Sequence, residues 1–374
     1  MFAYIVRRLA LMIPTLFGVM LVNFLVIQAA PGGPVEQMIA QIQGQAVQAT
    51  ARFAGGGGQS EVAGRQPVPG SRAESAYRGA QGLDPEIIKE IERMFGFDKP
   101  AHERFLTYMW NFIRFDFGDS FFRDRKVVDL VLEKMPVSIS LGLWTTFLVY
   151  AISIPLGVVK AVRDGSGFDI WTSGVVVVGN AVPGFLFAIL LIVLFAGGRY
   201  FDWFPLRGLL SDQYAGFGFL ECAATAACVA DYFWHIALPI LSMVIGGFAG
   251  LTMLTKNSFL DQINMQYVVT AKAKGLSQRR VLYGHVFRNA MLIVIAGFPS
   301  AFVGVLFTGA LLIEVIFSLD GLGLLGFEAA INRDYPVMFA TLYFFTLLGL
   351  LMQLIGDLAY TVIDPRIDFE SREV

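Results

Sequence analysis

Six windows of this chain carry no charge, and they constrain its fold more than any other feature. Between Leu9 and Val35, Met135 and Val159, Ile170 and Gly198, Tyr232 and Thr255, Asn289 and Ile313, and Tyr335 and Gly356 there is no Asp, Glu, Lys or Arg. A helix needs about 20 apolar residues to cross the hydrocarbon of a bilayer, where each backbone polar group must be satisfied within the segment. All six windows reach that length. The whole chain agrees: 374 residues, 56% hydrophobic, with a mean hydropathy of +0.62, is too apolar for an ordinary soluble domain. The expected fold is therefore an all-α polytopic membrane protein with six transmembrane helices.

Orientation follows from the basic residues of the short connections. With the amino terminus inside, the inner segments hold Arg7, Arg8, Lys160, Arg163, Lys256, Lys272, Lys274, Arg279, Arg280, Arg288, Arg366 and Arg372. The outer ones hold only Arg199, Arg207 and Arg333. Both termini are expected in the cytoplasm. Leu9–Ala30 is too long for a signal-peptide core and lacks a small-residue cleavage site, so it reads as an uncleaved first span. The layout is residues 1–30, the cytoplasmic start and first span; 31–134, a periplasmic loop; 135–363, spans two to six; and 364–374, a cytoplasmic tail.

Within the long outer loop, 41–82 is rich in Gly, Ala, Gln, Ser and Arg and includes Gly55-Gly-Gly-Gly58. It cannot bury enough apolar surface to offset its chain entropy, and reads as a flexible insertion. From 84 to 115 a helical cap is expected. Asp84-Pro85 opens one amphipathic helix, and a second after Pro100 puts Phe105, Tyr108, Met109 and Phe112 on one face. Trp110, Phe112, Phe115, Phe117, Phe121 and Phe122 suit either a membrane interface or packing inside that cap. Pro183-Gly184 is expected to kink span three, and span four is expected from His235 to Lys256, with Pro239 in its first turns. Cys222 and Cys228, in an outer loop, are either a disulfide or two separate thiols. Six residues apart on one continuous helix they would not face each other, so a bridge demands a broken backbone.

Few motifs carry chemistry. Gly321-Leu-Gly-Leu-Leu-Gly326 matches a dinucleotide fingerprint, but without the strand and helix that would give it that meaning; close helix approach explains it better. Ser120 has no histidine placed to activate it, as His102, His235 and His285 fall on three segments. No phosphate-cradling G-x-x-x-x-G-K-[ST] occurs and no His/Cys set has metal-ligand spacing. No catalytic residue and no metal site is expected, and energy for any active process must come from a partner. Glu314, near the end of span five, is either a functional group or a structural hydrogen bond. With 28 basic and 30 acidic residues and a pI near 6.0, nucleic acid is not an expected partner.

One connection stands apart. Lys272, Lys274, Arg279, Arg280 and Arg288 fall within 17 residues, and no acidic residue occurs between Asp261 and Glu314. Tyr267, Val268, Ala271 and Leu276 form an apolar stripe, small Ala271 and Ala273 permit close approach, and Gly275 should end that short helix. The charges alone could serve topology. A compact amphipathic helix projecting from the membrane also suits another protein's groove.

Here a family resemblance emerges. Ala271, Gly275, His285 and Arg288-Asn289-Ala290 resemble the EAA loop of ABC-importer permeases, although Val269-Thr270-Ala271 stands where Glu-Ala-Ala would be and Ala290 where a proline is common. Tyr4–Pro34, GFDKP at Gly96–Pro100, FDFGDS at Phe115–Ser120, Ile313–Gly326, RDYPV at Arg333–Val337 and DPRI at Asp364–Ile367 resemble the dipeptide/oligopeptide branch. Within it, the length of the first outer loop looks closest to Yej-type importers, which take up oligopeptides and the peptide-nucleotide antibiotic microcin C.

The resemblance implies a type I ABC-importer permease fold in a bacterial inner membrane and a second homologous permease subunit completing a heterodimer. It also implies ABC ATPase subunits holding ATP and Mg, a periplasmic peptide-binding protein, and no cofactor on this chain. Tyr267, Ala271, Lys272, Lys274, Gly275, Leu276 and His285, in the loop 257–288, would then couple ATPase to pathway. Alternatives are a permease for a nickel chelate or haem and, in another class, a membrane-embedded enzyme.

Overall fold

Where the sequence supplies apolar runs, helices form and overrun the charge-free windows. In the computed structural model, residues 2–29, 89, 98–198, 200–214, 216–304 and 310–363 are described. The insertion at 41–82 and the helix expected after Asp84 lie outside them. In chain order the first helices are α1 (Phe2–Ala29), α2 (Ala101–Ile113), α3 (Val127–Val162), α4 (Gly167–Ala181), α5 (Gly184–Phe195), the six-residue α6 (Phe219–Ala224) and α7 (Ala226–Ile263). The short helices α8 (Gln266–Ala273) and α9 (Gln278–Val281) and a π-helical turn at Leu282–Val286 follow. The chain then forms α10 (Phe287–Gly304), α11 (Ala310–Ile316), α12 (Leu322–Asn332) and α13 (Tyr335–Ile363). No strand occurs among the described residues; Asp119 and Lys126 form an isolated bridge.

Five helices are long and apolar enough to cross a membrane, and the α4–α5 pair, bent by 90°, makes a sixth if counted as one span. The break falls at Val182-Pro183, where proline removes a donor and the residue before it is held extended (Val182 φ −88°, ψ 118°). The expected kink is there, and sharper than a bend.

Two expectations need correcting. Span four does not run from His235 to Lys256: α7 begins at Ala226 and continues to Ile263. Pro239 therefore lies well inside the helix rather than in its first turns, and the Ser242 hydroxyl donates to its carbonyl at 2.6 Å. The helix passes Lys256 because that charge is neutralised by Asp164 and Asp169 at 2.8 and 2.7 Å. Lys160, assigned to a connecting turn, is inside α3 and fully buried.

The chain divides into two units. In the first, containing Lys134–Leu324, α3 and α7 run side by side in the same direction. Thr145 meets Met243, a Cβ on Gly247 would touch Val149, Ser153 donates to the Phe248 carbonyl at 3.0 Å, and Gly157 abuts Thr252 and Thr255. Glycine at 157 is required by that approach, since a Cβ there would lie 2.6 Å from the Thr255 side chain. Against α7, the bent pair runs the other way: Gly179 meets Phe248 and Gly184 meets Ser242. Parallel α3 and α7 leave the intervening pair to return across the same thickness, so α4–α5 is a broken crossing rather than a re-entrant loop. Tyr4 and Arg8 of α1 hold Asp357 of α13 at 2.9 and 2.7 Å, a pairing absent from the sequence reading.

The second unit, Ile13–Glu133 with Leu325–Phe344, holds the described part of the cap. Helix α2 sets Phe105 against Phe17 and Phe24, while Phe112 and Phe117 pack with Phe339, Tyr343 and Phe344. Of the six aromatics noted above, Phe112 and Phe117 are buried, and Trp110 and Phe115 are exposed. Ser120, without any nucleophilic setting, donates to the buried carboxylate of Asp334.

Candidate functional site

The basic connection folds into a two-faced platform. Helix α8 ends as the glycine pattern requires: Gly275 takes φ +80°, Leu276 N–H bonds the Ala271 carbonyl at 3.3 Å and Gly275 N–H bonds that of Lys272 at 2.9 Å. Such a closure needs the left-handed conformation that glycine adopts without strain.

Its inner face belongs to the protein's own core. Val268, Ala271, Val281, Val286 and Ala290 are buried with Val158 and Ala161 of α3 and Phe259 of α7, with Tyr267 and Leu276 at the margin. A 2.7 Å bond from the Ser258 hydroxyl to the Ala290 carbonyl ties α7 to α10. Thus the apolar stripe is turned inward, and Ala271 contacts its own chain. The outer face presents Val269 (56% exposed), Lys272, Lys274, Gly275, Arg279, Arg280, Tyr283 and His285. His285 sits on the π-helical turn and, like Tyr283, is exposed. Val269 was noted only as a departure from Glu-Ala-Ala and Tyr283 not at all; the surface position of an apolar residue among lysines is decided by packing.

Glu314 lies elsewhere, and its setting is closed. Its carboxylate is fully buried, accepting from the Ser138 hydroxyl at 2.9 Å and from Leu324 N–H at 2.7 Å. Leu322 N–H in turn donates to Ser138 at 2.8 Å. Gly321 and Gly323 form the cradle: a Cβ on Gly321 would sit 2.2 Å from a Glu314 oxygen. The glycine run therefore serves close approach, around a carboxylate placed at the start of α12, where free N–H groups and the helix dipole favour negative charge. Lys134 and Asp320 form an ion pair beside it.

Cys222 and Cys228 form a disulfide with Cα atoms 5.2 Å apart. The backbone break it requires is at Thr225, extended at φ −110° and ψ 105° between α6 and α7.

Residues 153–369 match the family described as the inner membrane component of binding-protein-dependent transport systems. The chain belongs to that family, and is thus a permease component of an ABC importer, a transport part and not an enzyme. It is 61% identical to the peptidoglycan transport system permease protein YejB of Agrobacterium fabrum, across 100% of both chains. To the inner membrane ABC transporter permease protein YejB of Escherichia coli O157:H7 it is 57% identical, over 99% of this chain and 100% of that one. The oligopeptide transport system permease protein AppB of Bacillus subtilis is 31% identical over 99% of this chain and 100% of its own. Among solved structures, a chain of the MetNI methionine ABC transporter covers 63% of this chain and 97% of its own, at 15% identity and a TM-score of 0.48.

Proposed function

We propose that this chain forms one half of a membrane pathway carrying oligopeptides from periplasm to cytoplasm, with a second homologous permease as the other half. A periplasmic peptide-binding protein delivers cargo to the cap. Soluble ATPase subunits, which hold ATP and Mg, bind the outer face of the segment 266–290. Both termini and that segment then lie in the cytoplasm, consistent with the basic excess there. ATP can drive the pathway only by favouring one arrangement of the assembly over another, and this platform carries that preference into the spans.

The observation that carries the reading is the two-faced platform, with Val268 and Ala271 anchored in the core of the spans and Val269, Lys272 and Lys274 left open. Purifying the assembly, reconstituting it in vesicles and measuring ATP-driven oligopeptide uptake tests it. Uptake without any ATPase attached would end the proposal. The peptidoglycan transport named for the Agrobacterium relative supports a second cargo reading, peptide-bearing fragments of peptidoglycan; competition between such fragments, plain oligopeptides and microcin C separates them.

A further inference from the structure

Lys160 is the most deeply buried cation described in this chain, with no exposed surface. Its ammonium donates to the Asp169 carbonyl and the Thr172 hydroxyl, each at 2.9 Å, and to the Ser173 hydroxyl at 2.7 Å, and forms an ion pair with one Asp169 carboxylate oxygen at 2.9 Å. The other Asp169 oxygen takes Lys256 of α7 at 2.7 Å and Gly165 N–H at 3.2 Å. Lys256 reaches on to Asp164, in the turn between α3 and α4. One carboxylate thus joins three helices.

Such a cluster is a poor way to gain stability, because removing two ammonium groups and a carboxylate from water offsets most of their attraction. What it supplies is fixed geometry, since three hydrogen bonds use all three N–H donors of Lys160 while the Asp169 charge holds the ammonium in place. Its position gives that rigidity a use. Val158 and Ala161, flanking Lys160 on α3, share one buried core with Val268 and Ala271 of α8. One side of the α3 end therefore lies in the core that seats the platform while the other grips α4 and α7.

We propose that Lys160, Asp169 and Lys256 are positioning residues that form a stiff joint between helices. They make α3, α4 and α7 move as one body with the segment 266–290, and so set how much cargo moves per ATP hydrolysed on the partner. This rests on the functional reading above.

The test uses the whole assembly in vesicles, with ATP hydrolysis and peptide uptake measured on the same sample. In Asp169→Asn, ATPase attachment and hydrolysis persist, and uptake per ATP falls at least about threefold, within the range by which such couplings are altered. Asp169→Glu, which keeps the charge, restores most of the ratio. Lys256→Gln, nearer water at 11% exposure, carries the same expectation should Asp169→Asn fail to accumulate. An unchanged ratio, or hydrolysis and uptake falling together, overturns the joint alone. Failure of both variants to accumulate assigns the cluster to folding and also overturns it. A wild-type assembly without ATP-driven uptake overturns the joint and the functional reading together.

Discussion

The Ser138 hydroxyl donates to the Glu314 carboxylate at 2.9 Å, joining groups 176 residues apart where neither side chain has exposed surface. That contact turns an apparent liability, a carboxylate near the end of a membrane span, into the peg around which the turn into α12 is built. Because Gly321 and Gly323 exist to let the backbone reach it, carboxylate and glycines form one device.

Removing the peg should therefore loosen the turn. Glu314→Ala leaves the Leu324 N–H buried without its acceptor, a loss of about 1–3 kcal/mol. Gly321→Ala drives a methyl group into the same carboxylate and should cost a comparable amount. Since both act on one contact, the double variant should be less destabilised than the sum. Thermal unfolding in detergent measures all three; strict additivity would show that the two sites are independent.

On the platform, the two faces should respond differently. Lys272→Glu, a charge reversal on the open face, is expected to weaken ATPase association while leaving the amount of permease in the membrane unchanged. Ala271→Glu, pointing into the core with Val268 and Val281, should lower both. Gly275→Pro cannot adopt φ +80° and should abolish uptake, whereas Gly275→Ala should cost about 1 kcal/mol. Pull-down with the ATPase subunits, beside quantitative membrane blots, separates these outcomes.

The disulfide offers a check on orientation. Cys228→Ser frees Cys222, which is half-buried, and a membrane-impermeant maleimide should label it in intact spheroplasts. Labelling only after permeabilisation would reverse the proposed topology. Loss of the bridge should also raise protease sensitivity between 216 and 226, because breaking a short covalent loop removes about 2–3 kcal/mol of local constraint.

Acidity should act through Asp334. Burial pushes its carboxyl above the usual carboxylate range, opposed by donation from Ser120 and from the backbone of Phe121 and Val337, and by the charge of Arg123. A raised value in the folded state means that folding favours the protonated acid. Its contribution to stability is therefore greatest at low pH and falls as pH rises from the ordinary value through the raised one. Asp334→Asn, neutral throughout, should flatten that part of the stability profile. An unaltered profile would place the titration elsewhere.

Much of this molecule was legible in its residue order. The bilayer demands about 20 apolar residues per crossing whatever the neighbours do, so the six charge-free windows announced six crossings. Pro183 had to break its helix, and Gly275 had to end α8, because both act through the backbone of their own segment. Even the condition on the cysteines, a break between them, followed from helix geometry and is met at Thr225. The two-faced character of 266–290 was half visible: its stripe and its charges could be read, but not which side the stripe would face.

What sequence order could not decide was where charge ends up once helices meet. Lys160, Lys256, Asp169 and Glu314 looked like ends of spans or isolated costs, since a charge within apolar sequence reads as a boundary. Their partners lie on other helices, from 9 residues away for Lys160 and Asp169 to 176 for Glu314 and Ser138. Burial becomes tolerable only when those helices bring acceptors and donors into place together. Spans are local properties of a chain in lipid; paired charges between them are properties of the packed structure alone.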